Sequence, residues 1–315
     1  MDNPNKKSGR LFWGIFISLI LIVLIFVGIS FIVFASKIIS TGDKDYYLES
    51  SGSGDGKIAI VDLDFTIISS DGIVRQFKKF REDKSIKAIV LRINSPGGGV
   101  AASQEMYEEV KKTRDSGKPV IVSFGSIAAS GGYYTACGGS IIVSNPGSLT
   151  GSIGVIAQFM SIKELADKLG IKYTTVKSGE LKDAGSPFRD INQKDIIYFQ
   201  DIIDDSYDQF LDVVSKERKI DKVSLKEIAN GRVFTGRQAK DLKLIDSIGT
   251  FQDAIRIAAK IAGINGEPTL VREKSKRSVF DFFFESSTAK ELKDIKEEFK
   301  AEFFNTPVLQ YKFEK

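Results

Sequence analysis

The sequence predicts an α/β domain in which a mostly parallel β-sheet is covered by helices on both of its faces. The main observation is a set of short apolar runs, too brief for helices, at 58–65, 88–93, 120–124 and 141–143. Most of their residues are apolar at consecutive positions instead of alternating with polar residues, which is typical of strands buried on both faces. Amphipathic segments separate the runs, as expected when helices connect parallel strands.

The connecting helices follow from the spacing of the apolar residues. One helix is predicted through residues 74–80 and a second over about 100–114. Later in the chain we expect a further strand at 173–176, a long helix over about 192–219 and a helix through 254–262. Helices and strands therefore alternate along most of the chain.

Three glycine-rich segments follow predicted strands. They are SPGGGV at 95–100, GSIAASGGYY at 125–134 and NPGSLTGSIGV at 145–155. The functional crevice of an open α/β fold lies at the carboxyl ends of its strands. We therefore expect these three loops to converge on one site.

An uncharged stretch at 11–34 is predicted to be a transmembrane anchor. At about 1.5 Å per helical residue it can cross a bilayer core, and it exceeds the roughly 7–15 apolar residues of a cleaved signal peptide. Lys6, Lys7 and Arg10 precede it, so the positive-inside rule places the N-terminus in the cytoplasm and the rest of the chain outside. The predicted organisation is a cytoplasmic N-terminus at 1–10, the anchor at 11–34, a polar linker at 35–56, one folded domain at 57–273 and a C-terminal tail at 274–315.

The C-terminal tail is predicted to contain an amphipathic helix. Leu292, Ile295, Phe299 and Phe303 recur at spacings of three and four, which places them on one helical face. Two interpretations remain open for this face: packing against the chain itself or a neighbouring subunit, and contact with a membrane surface.

Composition excludes several classes of chemistry. The chain has 315 residues with 45 Lys and Arg against 41 Asp and Glu, a near balance that gives no indication of nucleic-acid binding. It has no histidine, which excludes Ser-His-Asp and Cys-His catalysis and removes the usual ligands of most zinc sites. Cys137 is the only cysteine, so no disulfide can form within the chain. No metal or cofactor is predicted, and any general base must be Lys, Asp, Glu or Tyr.

Ser130 is the candidate nucleophile. It precedes Gly131 and Gly132 at the junction of a predicted strand and helix, where a tight turn would expose its Oγ. The first helical turn there leaves backbone N–H groups free, so the N–H of Gly131 could bind a developing oxyanion. The same local pattern also fits an ordinary serine N-cap before a glycine turn.

The loop from Ser95 to Gly99 is a candidate for the second oxyanion donor, because its glycine amides can approach a substrate closely. Taken alone it fits a strand-to-helix connection or a phosphate loop equally well, although it lacks the Gly-Lys-Ser/Thr of a P-loop. A serine without histidine needs another base, and a lysine serves only if burial or nearby positive charge keeps it neutral. Spacing does not choose among the lysines; Lys177 and Lys182 share one loop at 177–189.

Five motifs in order are similar to one known family. GSIAASGGYY, SPGG, TGSIGV, KSGELKDAGSPFR and GRVFTGRQAKDLKLID resemble the signal peptide peptidase A (SppA, protease IV) family of bacterial Ser-Lys peptidases. The resemblance covers residues from about 57 to 262. It implies the Clp protease/crotonase-like fold, built from repeated ββα units.

The resemblance also implies roles for particular residues. The nucleophile of the family falls on Ser130 and its general base on Lys182. Backbone N–H groups of Gly97 and Gly131 would form the oxyanion hole. Ser152 matches a serine that lies near the lysine and could orient it.

The expected function is hydrolysis of peptide bonds, in residual signal peptides or other peptides near the membrane, by an extracytoplasmic serine peptidase without cofactors. The resemblance implies a homo-oligomer in which serine and lysine can come from adjacent subunits. Two alternatives remain: an acyl-CoA enzyme of the crotonase type, which would not need Lys182, and a non-catalytic, membrane-tethered scaffold, for which Ser130 would be dispensable.

Overall fold

The computed structural model describes residues 21–29, 46–50, 52–273 and 310–312. Residues 21–29 form a helical segment, α1, whose side chains are exposed. The remainder of the predicted anchor at 11–34 lies outside the described residues, as does the predicted amphipathic helix of the tail. Within the described ranges, no helix combines the length and apolar character that crossing a membrane requires.

The strands and helices of the domain alternate along most of the chain. The strands are β1 (Tyr46–Ser50), β2 (Lys57–Leu63), β3 (Ile86–Ser95), β4 (Gly97–Gly99), β5 (Val120–Ala129), β6 (Ile141–Ser144), β7 (Leu149–Gly151), β8 (Val233–Thr235), β9 (Ser247–Ile248), β10 (Thr269–Glu273) and β11 (Gln310–Lys312). The helices are α2 (Asp71–Glu82), α3 (Val100–Asp115), α4 (Gly131–Ala136), α5 (Lys163–Lys168), α6 (Gln193–Arg218), α7 (Lys222–Ile228), α8 (Gly236–Asp241) and α9 (Phe251–Ile261).

The sheet is mostly parallel, as predicted. Its strand order is β1-β10-β2-β3-β5-β6-β9, and β7 continues beside the end of β5 and pairs with β8. The pairings from β10 through β2, β3, β5 and β6 to β9 are all parallel, whereas β1 pairs antiparallel with β10 and β8 pairs antiparallel with β7. Strand β1 lies within the segment 35–56 that was predicted to be a linker, so part of that segment belongs to the sheet.

Helices cover both faces of the sheet, which confirms the prediction from the apolar runs. In β2, Ile58 and Ile60 belong to a cluster that packs under α9, together with Ala254 and Ala258. The alternate residues of β2 belong to the larger cluster on the other face, to which α2, α3, α4 and α6 contribute. Successive side chains of a strand point to opposite faces, so the consecutive apolar residues 58–61 of β2 need a helical layer on each side.

The strand predicted at 173–176 is wrong. These residues pair with no strand in the described part of the chain, and the side chain of Val176 is 96% exposed. The prediction followed the β-branched and aromatic composition of YTTV, which favours a strand only where a pleated, half-buried surface is available. No neighbouring strand offers such a surface here.

Candidate active site

The three glycine-rich loops converge at one edge of the sheet, as expected. Strands β3 and β5 are parallel neighbours, with Ser95 opposite Ala128 near their carboxyl ends. Strand β7 pairs with the last residues of β5, with Gly151 opposite Ala129. Because parallel strands end at the same edge, the chain segments after β3, β5 and β7 meet there.

Ser130 occupies a strained turn directly after β5. Its φ of 53° and ψ of −116° lie in a region that a residue with a side chain rarely adopts, which costs about 1–3 kcal/mol. Its N–H donates to the Gly151 carbonyl at 2.8 Å, so the turn is held by β7. The residue is 1% exposed, and its Oγ has no hydrogen-bond partner among the described residues.

The geometry of Ser130 separates the two interpretations of the serine-glycine-glycine turn. In the capping interpretation the hydroxyl would accept a hydrogen bond from the first turn of α4, and it accepts none. A buried hydroxyl without a partner costs free energy, and strained, unsatisfied groups of this kind cluster at functional sites. The hydroxyl is also buried rather than exposed as expected, because the segments after β3 and β7 both pack around the turn.

Gly131 and Gly132 bring the start of α4 against the end of β3. The N–H of Gly131 lies in the first helical turn, where no intrahelical acceptor is available, and no other described residue accepts from it. A Cβ at Gly132 would come within 3.1 Å of the Ser95 carbonyl oxygen. A side chain there would push the helix away from β3, so this close approach depends on glycine.

The N–H of Gly97, a predicted oxyanion donor, is engaged inside its own turn. It donates to the Ser95 Oγ at 3.2 Å, and that hydroxyl donates in turn to the Phe65 carbonyl at 2.5 Å. Ser95 is completely buried. The serine side chain therefore ties the loop after β3 to the loop after β2.

The N–H and carbonyl groups of Gly98 point to the edge of β4 that is opposite Ile67 and is paired with β11. Ile67 bonds to both neighbours, since its N–H donates to the Gly97 carbonyl and its carbonyl accepts from the Gly99 N–H, each at 2.8 Å. Because successive peptide groups of a strand point to opposite edges, those of Gly98 face away from Ile67. At that edge lies β11, antiparallel to β4, with Tyr311 opposite Gly98. The sequence analysis proposed the glycine amides of this loop, and the resemblance singled out Gly97 and not Gly98.

Ser152 lies directly after β7, next to the turn that carries Ser130. It follows Gly151 as Ser130 follows Ala129, and those two preceding residues are paired in register. Its φ is 50°, its N–H donates to the Arg232 carbonyl at 2.8 Å, and it is 6% exposed. A cavity of about 460 Å³ opens next to it, lined by residues 152–156, 229–231 and three side chains of α6.

No hydrogen bond joins Lys182 to Ser130 among the described residues. Lys182 lies on a one-turn 3-10 helix, Glu180–Asp183, and it is exposed. Its side chain makes no hydrogen bond or ion pair with any described residue. By contrast, the ammonium of Lys177 donates to Asp183 Oδ1 at 2.7 Å and to the Glu180 carbonyl at 2.8 Å. Lys177 is thus occupied in a structural ion pair, which leaves Lys182 as the unpaired lysine of this loop.

The segment around Lys182 exposes many apolar side chains. Those that are more than half exposed include Leu165, Leu169, Ile171, Tyr173, Val176 and Ile197. Single exposed apolar residues are ordinary, but a concentration along one segment is typical of a surface that contacts another protein.

Cys137 is the C-cap of α4 and is 2% exposed, so it packs as a small apolar side chain. Burial raises the pKa of its thiol to about 12. Because the thiolate is the reactive form, a maleimide at pH 8 is expected to leave the native protein unlabelled and to label it rapidly in denaturant. The measurement is the mass of the protein over time, and fast labelling without denaturant would show that α4 opens in the native state.

Family comparisons agree with this architecture. The model of Peptidase family S49 matches residues 112–265, and the model of Clp protease matches residues 60–147. A proposed protease of Synechocystis is 41% identical over 210 residues, which cover 66% of this chain and 76% of that protein. A proposed signal peptide peptidase SppA of Enterococcus faecium is 40% identical over 180 residues, 57% of this chain and 52% of that protein. Protease 4 of Haemophilus influenzae is 34% identical over 238 residues, 73% of this chain but 37% of that protein.

Proposed function

Because this chain belongs to peptidase family S49 and is therefore a serine peptidase, we propose that it hydrolyses peptide bonds through an acyl-enzyme formed on Ser130, with Lys182 as general base. The family assignment confirms the resemblance seen in the five motifs. The observation that carries the proposal is the buried hydroxyl of Ser130, which has no partner among the described residues and sits on a strained turn beside the Gly131 N–H.

The reaction has two halves. In the first, Ser130 Oγ attacks the scissile carbonyl carbon while neutral Lys182 takes the hydroxyl proton, and the protonated lysine then gives that proton to the leaving amine. In the second, neutral Lys182 takes a proton from water as the water oxygen attacks the ester carbonyl, and the protonated lysine then returns that proton to Ser130 Oγ as the ester bond breaks and the carboxylic acid product leaves. The Gly131 N–H would hold the oxyanion in both halves, together with a peptide group of the 97–99 loop.

The second oxyanion donor can be assigned more closely from the hydrogen bonds of β4. The N–H of Gly97 already bonds to Ser95, whereas the peptide group of Gly98 faces the edge that β11 occupies. An extended substrate pairing antiparallel with β4 would meet Gly98 in the same way, in place of residues 310–312. We therefore extend the oxyanion proposal from Gly97 to Gly98.

The lysine is proposed to reach Ser130 from a second copy of the chain. Ser130 is 1% exposed and unpartnered, while Lys182 is exposed on a segment rich in exposed apolar side chains. Covering that segment with a neighbouring subunit would bury its apolar surface and remove Lys182 from water. Burial disfavours the ammonium, which is what a lysine base needs near neutral pH. The open space beside Ser152 leaves room for such an approach.

Signal peptides and other membrane-proximal peptides are the proposed substrates. The uncharged stretch at 11–34, preceded by Lys6, Lys7 and Arg10, supports a membrane anchor with the domain outside the cytoplasm. A relative in Enterococcus faecium is itself named as a signal peptide peptidase. An anchored domain would meet peptides that remain in or beside the membrane.

The acyl-enzyme can be tested directly with a serine-reactive phosphonate. We expect it to modify the purified full-length protein at Ser130, located by mass spectrometry of its peptides, and to react at least about 10²-fold more slowly with Lys182→Ala, since general base catalysis contributes about that much. Modification elsewhere in the chain, or an equal rate in Lys182→Ala, would contradict the proposed dyad. An acyl-CoA enzyme or a scaffold would not be labelled at Ser130.

A further inference from the structure

The short helix that carries Lys182 is held by cations on both of its sides. Lys177 spans it, with its ammonium donating to Asp183 Oδ1 at 2.7 Å and to the Glu180 carbonyl at 2.8 Å. Arg189 approaches from the following segment, and its Nη2 donates to the same Asp183 oxygen at 3.0 Å. The residue directly after the proposed base is therefore clamped between two side chains.

Arg189 connects this clamp to the long helix α6. Its Nη1 and Nη2 donate to the two carboxylate oxygens of Asp195, at 2.5 and 2.9 Å, in a bidentate pair. The side chain of Asp195 is 1% exposed, and it also accepts from the Asn192 N–H at 3.1 Å within the capping box of α6. The turn with Lys182 is thus linked to the start of a helix of 26 residues.

The guanidinium geometry is needed for this link. One nitrogen of Arg189, Nη2, serves Asp183 and Asp195 together, and Nη1 also reaches the Asp190 carbonyl at 3.0 Å. A lysine is a single point charge and cannot reproduce this fork. The Nε of Arg189 is buried without a partner among the described residues, a cost that the surrounding bonds must offset.

We propose that Asp183 and Arg189 are positioning residues for Lys182, holding its backbone so that the amine reaches Ser130 in a fixed geometry and next to a neutralised carboxylate. The inference rests on the proposed function, since it assumes that Lys182 is the base. A lysine on an exposed loop has many rotamers and a mobile backbone, whereas proton transfer needs placement to within about 1 Å.

The clamp also controls charge beside the base. An unpaired carboxylate next to Lys182 would favour its ammonium form and so oppose its role. Hydrogen bonds from Lys177 and then Arg189 hold the pKa of Asp183 below its usual value, so this carboxylate is charged but is matched by two cations. Arg189 likewise lowers the pKa of Asp195. The charged side chains of the loop and the adjoining turn of α6 are Lys177, Glu180, Asp183, Arg189, Asp190, Lys194 and Asp195.

Steady-state kinetics of the full-length protein tests the positioning role. Arg189→Lys keeps the charge and loses the fork, and we expect it to lower kcat on the order of 10²-fold with KM changed much less. Asp183→Asn is expected to lower kcat in the same direction. The matched control is Lys194→Gln, which removes an exposed ion pair with Glu180 in the same region and is expected to leave kcat unchanged.

The pH profile of kcat/KM supplies a readout that a merely structural role would not move. The proposed reaction needs its base in the uncharged form, so the acid limb of this profile responds to the charges that surround the base. Arg189→Gln removes the positive charge that is paired with the carboxylates of Asp183 and Asp195. The remaining negative charge favours the protonated form of the base and moves the acid limb of the profile to higher pH. Asp183→Asn removes a negative charge and moves it to lower pH. Opposite shifts of the two variants are the expected result.

Two outcomes would overturn the inference without touching the proposed function. One is wild-type kcat in Arg189→Lys, and the other is an unmoved acid limb in both Arg189→Gln and Asp183→Asn, with Lys182→Ala inactive in either case. If Lys182→Ala keeps wild-type activity, the proposed function itself fails. If Arg189→Gln does not fold, Asp183→Asn and Arg189→Lys decide the question by kcat and by the direction of the limb.

Discussion

Replacing Ser130 with alanine is expected to lower the rate of peptide hydrolysis by about 10⁴-fold or more, because the proposed acyl-enzyme forms on the Ser130 hydroxyl. Lys182→Ala is expected to lose nearly as much, since residues that act as one unit do not contribute additively. Both side chains lack partners among the described residues, so neither substitution should lower the thermal midpoint appreciably. The measurements are hydrolysis of an unfolded protein or a signal peptide, and thermal unfolding.

Mixing the two inactive variants tests whether the dyad is shared between subunits. If subunits exchange freely in an equal mixture, about a quarter of the sites combine an intact serine with an intact lysine from the neighbour, and activity should return to about that fraction. A mixture of Ser130→Ala with the double variant serves as the control and should stay inactive. Absence of any recovery, despite proven subunit exchange, would place both residues in one chain.

Gly98→Ala is expected to have the second largest effect. Gly98 has a φ of 154°, and a Cβ there would lie 2.0 Å from the carbonyl oxygen of Ile67 and 2.7 Å from its nitrogen. Backbone atoms cannot move aside as a flexible side chain can, so β4 must shift away from Ile67. We expect a loss of about 1–3 kcal/mol of stability and, because β4 carries the proposed oxyanion donor, a loss on the order of 10²-fold in kcat/KM.

The control for this substitution is Gly72→Ala. Gly72 lies in the first turn of α2, where a Cβ meets no atom within 4 Å, and alanine favours the helix by up to about 1 kcal/mol. Its kcat/KM and stability should equal or slightly exceed those of the wild type. A Gly98→Ala protein with wild-type kcat/KM would mean that the substrate does not use the edge of β4.

Much of the fold could be predicted because its main signals are local. The apolar runs 88–93 and 120–124 lie within β3 and β5, although β5 continues through Ala129 into the segment predicted to be a loop, and the helix predicted over 192–219 is α6. These elements are buried on one or both sides, and burial imposes a periodicity that the sequence must carry. The strand predicted at 173–176 was wrong because the prediction relied on local composition alone. The composition suits a strand, but no strand in the described part of the chain pairs with these residues.

The candidate nucleophile was also visible in the sequence, because a glycine-flanked serine after a strand is a local pattern. Without histidine the base had to be another residue type, and five ordered motifs identified the family. The sequence alone could not show that the Gly97 N–H bonds to Ser95 Oγ while the peptide groups of Gly98 face the edge of β4 that β11 occupies. That difference depends on how Ile67 pairs with the loop.

The sequence by itself determined which chemistry is available to this protein: a serine nucleophile, no imidazole, and a parallel sheet whose loops carry glycine. Only the tertiary structure decided which groups are free to act. Lys177 and Lys182 are alike in sequence, and they differ because the fold brings Asp183 to the first and leaves the second without a partner among the described residues. Burial and pairing are properties of residues distant in the chain, and they decide whether an amine or a hydroxyl remains available for catalysis.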